Sequence, residues 1–176
     1  MEYFKIMSDK AYSNGPKIKD WYGRINTKQI CYGYAHTFPE RMLFFVEDNA
    51  KLIFTQYVAY PFVLVNDEAR KVISRYDKNV PFKKVVLLEY KHKKMQVYNL
   101  PFLHHFMLIE KKTIEDKVCY YLDVREKELR QKRIFQFMEY DKTITIMKLD
   151  MVESLLRRKV TGFTIEPVVI RGLADE

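Results

Sequence analysis

The chain has few of the residues that punctuate or cross-link a backbone: 5 Gly, 6 Pro, 2 Cys and 1 Trp among 176 residues. So few glycines exclude a collagen-like or Gly-rich fibrous chain and leave little material for a phosphate-cradling loop. Neither a P-loop nor a Gly-x-Gly-x-x-Gly fingerprint occurs, and there is no Gly-x-Ser-x-Gly elbow. Cys31 and Cys119 are too few for a disulfide framework. Both sit beside tyrosines in apolar stretches, which predicts reduced core thiols. Long hydrophobic runs are also missing. Tyr57 to Val65 is about nine residues, far below the ~18 to 20 that a spanning helix requires. Glu2, Lys5, Asp9 and Lys10 interrupt the first ten residues, which excludes an apolar signal segment there. The expectation is a soluble, cytoplasmic chain with no membrane partner.

What is present is apolar, aromatic and basic. Hydrophobic residues make up 48%, with 13 Tyr and 12 Phe, too many for a disordered chain. Lys plus Arg number 31 against 23 Asp plus Glu, a formal charge of +8. One domain over residues 1–176 is expected from this length.

Periodicity then divides the chain. Tyr3 to Met7 alternates as a first strand, and Asn14-Gly15-Pro16 marks a turn. The stretch from Ile18 to Phe38 reads as loops and short strands that carry Trp21, Tyr22, Tyr32 and Tyr34 outward. Met42 to Val46 is a strand, and Leu52 to Leu64 gives strands on both sides of Pro61. A helix follows: Asn66 or Asp67 caps it, and Ala69, Val72, Ile73 and Tyr76 form one apolar stripe. Val85 to Tyr90 and Met95 to Leu100 form a hairpin around the basic turn Lys91-His92-Lys93-Lys94. His104 to Ile109 and Val118 to Leu122 read as strands joined through a solvated connector, Glu110 to Lys117. Asp123 to Arg133 is an exposed helix or a loop. Ile134 to Tyr140 and Thr143 to Lys148 are two more strands. Asp150 caps a last helix, with Glu153 in capping-box register and Val152, Leu155 and Leu156 as its stripe. Arg157 to Lys159 fill its last turn, and Phe163 to Ile170 closes the chain. The fold class is α+β, a predominantly antiparallel sheet with two principal amphipathic helices.

No catalytic constellation emerges. His36, His92, His104 and His105 are available, but adjacent strand residues point to opposite faces, so His104 and His105 do not share a metal. One is expected in the core and the other exposed. No Cys or His pair has zinc spacing, so no metal and no cofactor is expected. Carboxylate pairs such as Glu115-Asp116 lie in solvated connectors, and the chain is read as non-enzymatic. The basic groups Lys83-Lys84, Lys91-Lys93-Lys94, Arg130-Lys132-Arg133 and Arg157-Arg158-Lys159, interleaved with Tyr and Phe, have the composition of a nucleic-acid groove. Each also has a local role, as a helix end, a hairpin turn or a charge-mixed surface, and a dispersed excess chiefly maintains solubility.

The segment Met151-Val152-Glu153-Ser154-Leu155-Leu156-Arg157-Arg158-Lys159-Val160-Thr161-Gly162-Phe163-Thr164-Ile165-Glu166-Pro167-Val168, a capped helix leading through Gly162 to an aromatic-containing strand, resembles the ending of a family of bacterial immunity proteins from polymorphic toxin systems. The strand, charged connector, strand pattern of Val85 to Lys148 is similar as well, so the resemblance covers roughly residues 66 to 170. It implies a protein that binds and neutralises a cognate toxin protein. The alternative is a basic nucleic-acid-binding module. The +8 charge predicts that any toxin surface it meets is neutral or acidic. No partner-binding residue carries over from the resemblance.

Overall fold

A computed structural model describes residues 2–175. Twelve strands fall into two sheets, one of seven strands and one of five. In chain order they are β1 (Tyr3–Ser8), β2 (Arg41–Phe45), β3 (Tyr57–Val58), β4 (Leu64–Val65), β5 (Phe82–Glu89), β6 (Lys94–Pro101), β7 (His105–Phe106), β8 (Leu108–Ile114), β9 (Lys117–Arg125), β10 (Ile134–Glu139), β11 (Lys142–Lys148) and β12 (Phe163–Leu173). The helices are α1 (Asp67–Tyr76), α2 (Glu126–Gln131) and α3 (Leu149–Arg157). The mixed α+β, mostly antiparallel character agrees with the sequence. Three helices are present where two principal ones are expected, because the charge-dense stretch after Asp123 forms α2 around one buried residue, Leu129.

The seven-stranded sheet runs β7-β10-β11-β1-β12-β9-β8. Its two outermost strands, β7 and β8, are separated in the chain by Met107 alone, so the sheet has to curl until its edges meet. Two contacts mark the seam: Asp123 donates its N–H to the Met107 carbonyl at 2.9 Å, and Lys111 Nζ on β8 lies 2.5 Å from Glu139 Oε1 on β10. The inside of this barrel is aromatic and aliphatic. Tyr3, Tyr120, Leu122, Phe135, Phe137, Ile146 and Ile170 fill it, and α2 closes one end with Leu129. Two of the barrel pairings are parallel, β10 with β7 and β12 with β9.

The five-stranded sheet runs β2-β5-β6-β4-β3. One face packs under residues 18–38, which contribute Ile18, Ile25, Ile30 and Ala35 to a core with Phe44, Leu64, Val85, Leu87, Tyr98 and Leu100. Short strands are expected in 18–38, but two single-turn 3-10 helices (Thr27–Gln29 and Ala35–Thr37) stand there with one isolated bridge, Ile18 to Val46. The apolar residues are spaced to cover a sheet and not to alternate within one. Between barrel and sheet lies a third core in which α1 and α3 meet Ile6, Tyr57, Val65, Ile134, Met147 and Phe163.

Local chemistry explains the element ends. Asn66 Oδ1 accepts the Ala69 N–H at 2.9 Å, which caps α1 as the sequence indicates. Asp150 does not cap α3. Lys148 holds the cap position, and Asp150 sits in the first turn, where its carboxylate pairs with Arg133 at 3.0 Å. Glu153 pairs with Arg157 one turn on at 3.7 Å instead of closing a capping box. Of the three terminal cations only Arg157 lies within the helix, because Lys159 has turned left-handed at φ 54°. The connector Glu110 to Lys117 is no loop. β8 and β9 run through it to a two-residue turn at Glu115 and Asp116, both left-handed, the conformation of a tight hairpin.

Candidate interaction face

Cross-strand register places apolar side chains in rows on the uncovered side of the five-stranded sheet. Leu43 aligns with Val86 and Val86 with Val97; Phe45 aligns with Leu88 and Leu88 with Met95. Side chains in register share a face, and the alternate residues Phe44, Leu87 and Val85 are the ones buried in the core beneath. The six residues of the two rows therefore form one outward patch. Leu43 is 40% exposed, Val97 42% and Met95 59%. Clusters of this kind on a soluble surface mark sites of contact.

The next row, Arg41, Lys84 and Asn99, marks where cover begins. Lys84 Nζ lies 2.8 Å from Asn99 Oδ1 and 3.3 Å from Asp67 Oδ1 at the start of α1. Hydrogen bonding from Asn99 is the main reason the Asp67 carboxyl is held below its ordinary pKa; burial opposes it, and Lys84 adds to the lowering. Beyond this row the same face disappears beneath α1 through Val65 and Tyr57.

At the other end stands the hairpin turn of β5 and β6. The buried Glu89 organises it: the carboxylate accepts the His92 backbone N–H at 2.7 Å, and His92 Nδ1 lies 3.0 Å away. Burial works to raise the Glu89 pKa, but the hydrogen bonds from His92 outweigh it and hold the carboxyl below its usual range. Lys93 takes a left-handed φ of 55° so that the turn closes. Tyr90, Lys91, His92 and Lys93 are thereby held out into solvent, with Tyr90 76% exposed. Among the described residues Arg41 at one end and Lys91 and Lys93 at the other form no ion pair with a carboxylate. Glu47 and Asp48, just after β2, are exposed acidic residues close in the chain to Phe45.

The other residues marked by the sequence are dispersed. Lys83 pairs with Glu40, Arg130 with Glu126, Arg133 with Asp150 and Arg157 with Glu153, so much of the positive charge is matched locally. Lys91 to Lys94 belong to the five-stranded sheet and Arg130 to Arg133 to the barrel, on separate layers. Lys148, expected only as the end of a strand, is 4% exposed and donates to the Arg130 carbonyl. Burial, with Arg133 adding repulsion, pushes its pKa down to about 8.

His104 and His105 point apart as expected, but both are half-buried; neither is a core residue and neither is fully exposed. The imidazole of His104 stacks on Tyr32 at 4.0 Å between centroids and accepts a hydrogen bond from Lys132 Nζ at 2.8 Å. Burial lowers its pKa first, and the adjacent Lys132 lowers it further. His105 turns the other way, to Gln136 at 2.7 Å. Cys119 is buried, as the sequence indicates, whereas Cys31 is partly exposed and not a core residue. Tyr22, Tyr32 and Tyr34 do face solvent, at 86%, 43% and 49% exposure, whereas Trp21, expected outward with them, is half-buried against the core of the five-stranded sheet. Among the described residues no three or more His, Cys, Asp or Glu side chains converge as a metal-binding group, and no helix is long and apolar enough to cross a membrane.

The signal of the apolar patch in the sequence is Val85 to Leu88, a run with no polar alternation, which reads equally well as a strand buried on both faces. No protein-family model matches the chain, and no curated protein matches it.

Proposed function

We propose that the chain is a non-enzymatic, immunity-type protein that binds and neutralises a cognate toxin domain through the outer face of β2, β5 and β6. The observation that supports this reading is the pair of registered apolar rows, Leu43-Val86-Val97 and Phe45-Leu88-Met95, left without cover in a chain that buries the opposite face of the same strands. Interfaces of ordinary size bury about 800 Å² per partner around an apolar centre with a polar rim, and this face has both. Arg41, Lys91 and Lys93 at the rim favour a partner surface that is neutral to acidic. Such a role requires a rigid complementary surface and no reacting groups.

The test is growth rescue. A tagged chain is purified from its native cell with nuclease present, and each stoichiometric protein partner is expressed alone in a surrogate bacterium. The expected result is a partner domain that arrests growth, relieved by co-expression of this chain and not by Val97→Lys. Partners that are harmless when expressed alone, or a rescue that Val97→Lys leaves intact, would overturn the proposed role or its assigned face respectively. Recovery of nucleic acid alone, lost on nuclease treatment, would transfer the reading to a nucleic-acid-binding module.

A further inference from the structure

Between the barrel and the five-stranded sheet lies a cleft of about 620 Å³, within the size range of small-molecule sites. Its two walls differ in chemistry. Ile30, Pro61, Phe62 and Val63 make an apolar wall, with Trp21 and Tyr60 at its mouth in edge-to-face contact at 6.1 Å. The opposite wall is the outside of the barrel, and it is polar for a reason of register.

His105 on β7, Gln136 on β10, Thr145 on β11 and Ile6 on β1 are successive cross-strand partners and therefore share a face. The first three are joined side chain to side chain. His105 Nε2 lies 2.7 Å from Gln136 Oε1, and Gln136 Nε2 donates to Thr145 Oγ1 at 2.9 Å. With the Gln136 oxygen toward His105, the imidazole is the donor of that bond, so the chain of bonds runs in one direction, toward Thr145. Its unspent groups are donors: the Thr145 hydroxyl hydrogen and the second N–H of Gln136. Thr145 and Gln136 are each only 5% exposed, and both line the cleft. Two buried polar side chains, Gln136 and Thr145, thus face a cleft whose other wall is apolar and aromatic, and the charged residues on its lining, Lys5, Asp141 and Lys142, are of mixed sign.

We propose that this cleft is a binding site for a small, uncharged, flat aromatic molecule that presents a carbonyl-type acceptor oxygen to Thr145 and Gln136 and its ring to Trp21 and Tyr60. A ligand of this class meets both walls at once. Lys5 pairs with Glu166 at 4.0 Å and Lys142 is offset by its chain neighbour Asp141, so the lining has no net charge for an anion, and a purely apolar molecule would cover the donors and leave them unpaired. The site stands apart from the outer face of β2, β5 and β6 and does not depend on how that face is used.

Trp21 is the single tryptophan, so its indole N–H gives one resonance that reports directly on the mouth of the cleft. The experiment titrates the full chain, ¹⁵N-labelled, with coumarin and with 1,2-dihydronaphthalene, a two-ring frame of similar size without the oxygens. The expected result is a saturating shift of the Trp21 indole peak with coumarin at sub-millimolar Kd, and binding at least about tenfold weaker for the hydrocarbon. Thr145→Val removes the donor, and Ala59→Phe fills the cleft from a partly exposed position of its lining. Each variant is first checked for a native-like spectrum, and either suffices. Coumarin affinity should fall at least about fivefold in Thr145→Val and vanish in Ala59→Phe. The proposal is overturned by no saturable shift with coumarin, by equal affinity for the two probes, or by coumarin binding that a folded variant leaves unchanged.

Discussion

Gly162 is the point at which the two layers of this protein are pinned together, and replacing it with alanine exposes how tightly. The residue connects α3 to β12 with φ at +103°, a region closed to most side chains. Its carbonyl accepts the Asp9 N–H at 3.2 Å, while the neighbouring Thr161 carbonyl accepts the Tyr57 N–H at 3.0 Å, so barrel and five-stranded sheet meet across this dipeptide. A Cβ at 162 would stand 2.2 Å from the Tyr57 carbonyl oxygen, 2.7 Å from Thr55 Cβ and 2.8 Å from Thr55 Oγ1. The nearest of these atoms is backbone, and Thr55 is itself fixed by its own bond to the Tyr57 carbonyl at 2.9 Å, so nothing can swing aside. A non-glycine residue forced to positive φ costs about 1 to 2 kcal/mol. Overpacking costs about 1 to 3 kcal/mol more. The sum, about 2 to 5 kcal/mol, corresponds to a fall in Tm of roughly 4 to 20 °C for a chain of this size. Gly23→Ala supplies the control: φ there is +75°, but nothing lies within 4 Å of the added Cβ, so only the backbone cost of about 1 to 2 kcal/mol applies. Urea and thermal unfolding of the two variants beside the parent measure the difference. Equal destabilisation by the two substitutions would refute the packing argument and with it the assignment of Gly162 as the pin.

Further expectations concern charge and surface. Lys148 has a folded pKa of about 8 against an ordinary value of 10.5. The unfolded chain therefore binds the extra proton between those values, and stability falls as pH is lowered from about 10.5 to about 8. Lys148→Met should abolish that slope in urea titrations and unfold at least as high as the parent at pH 7, because a buried cation beside Arg133 is replaced by an apolar chain of similar length. The Glu89 carboxyl is held below 4.5, so its contribution is complete above that pH and is lost as pH falls through the lower folded value. Hydrogen-exchange protection of the amides from Glu89 to Lys94, taken relative to the intrinsic rate at each pH, should drop below that point, and Glu89→Gln should show the lower protection already at pH 7. Val97→Lys sits on an exposed strand position and should shift stability by no more than about 0.5 kcal/mol in chemical unfolding, so any loss of partner binding reflects the surface and not the fold.

The local elements are legible in the order of residues. Asn66 capping α1, the basic turn between β5 and β6, the strand breaks on either side of Pro61 and the strand after Gly162 all follow from short-range chemistry that acts within a few residues. The order of residues also locates the exposed tyrosines of the 18–38 segment, whose irregular spacing fits neither a helix nor a strand. Tertiary structure decided what depends on distant partners. Asp150 has the residue type of a cap, yet Arg133 lies within reach and the cap falls two residues earlier, at Lys148. The connector 110–117 is polar because both its faces meet solvent, and it is strand because β9 provides a ladder along its length. That one residue, Met107, separates the two edges of the seven-stranded sheet is visible only once the strand order is known, and closure of the barrel follows from it. The rows Leu43-Val86-Val97 and His105-Gln136-Thr145 are assembled by register from segments far apart in the chain. Local periodicity shows which side of a strand a residue takes. Only the pairing of strands decides what stands beside it there, and whether that side is covered.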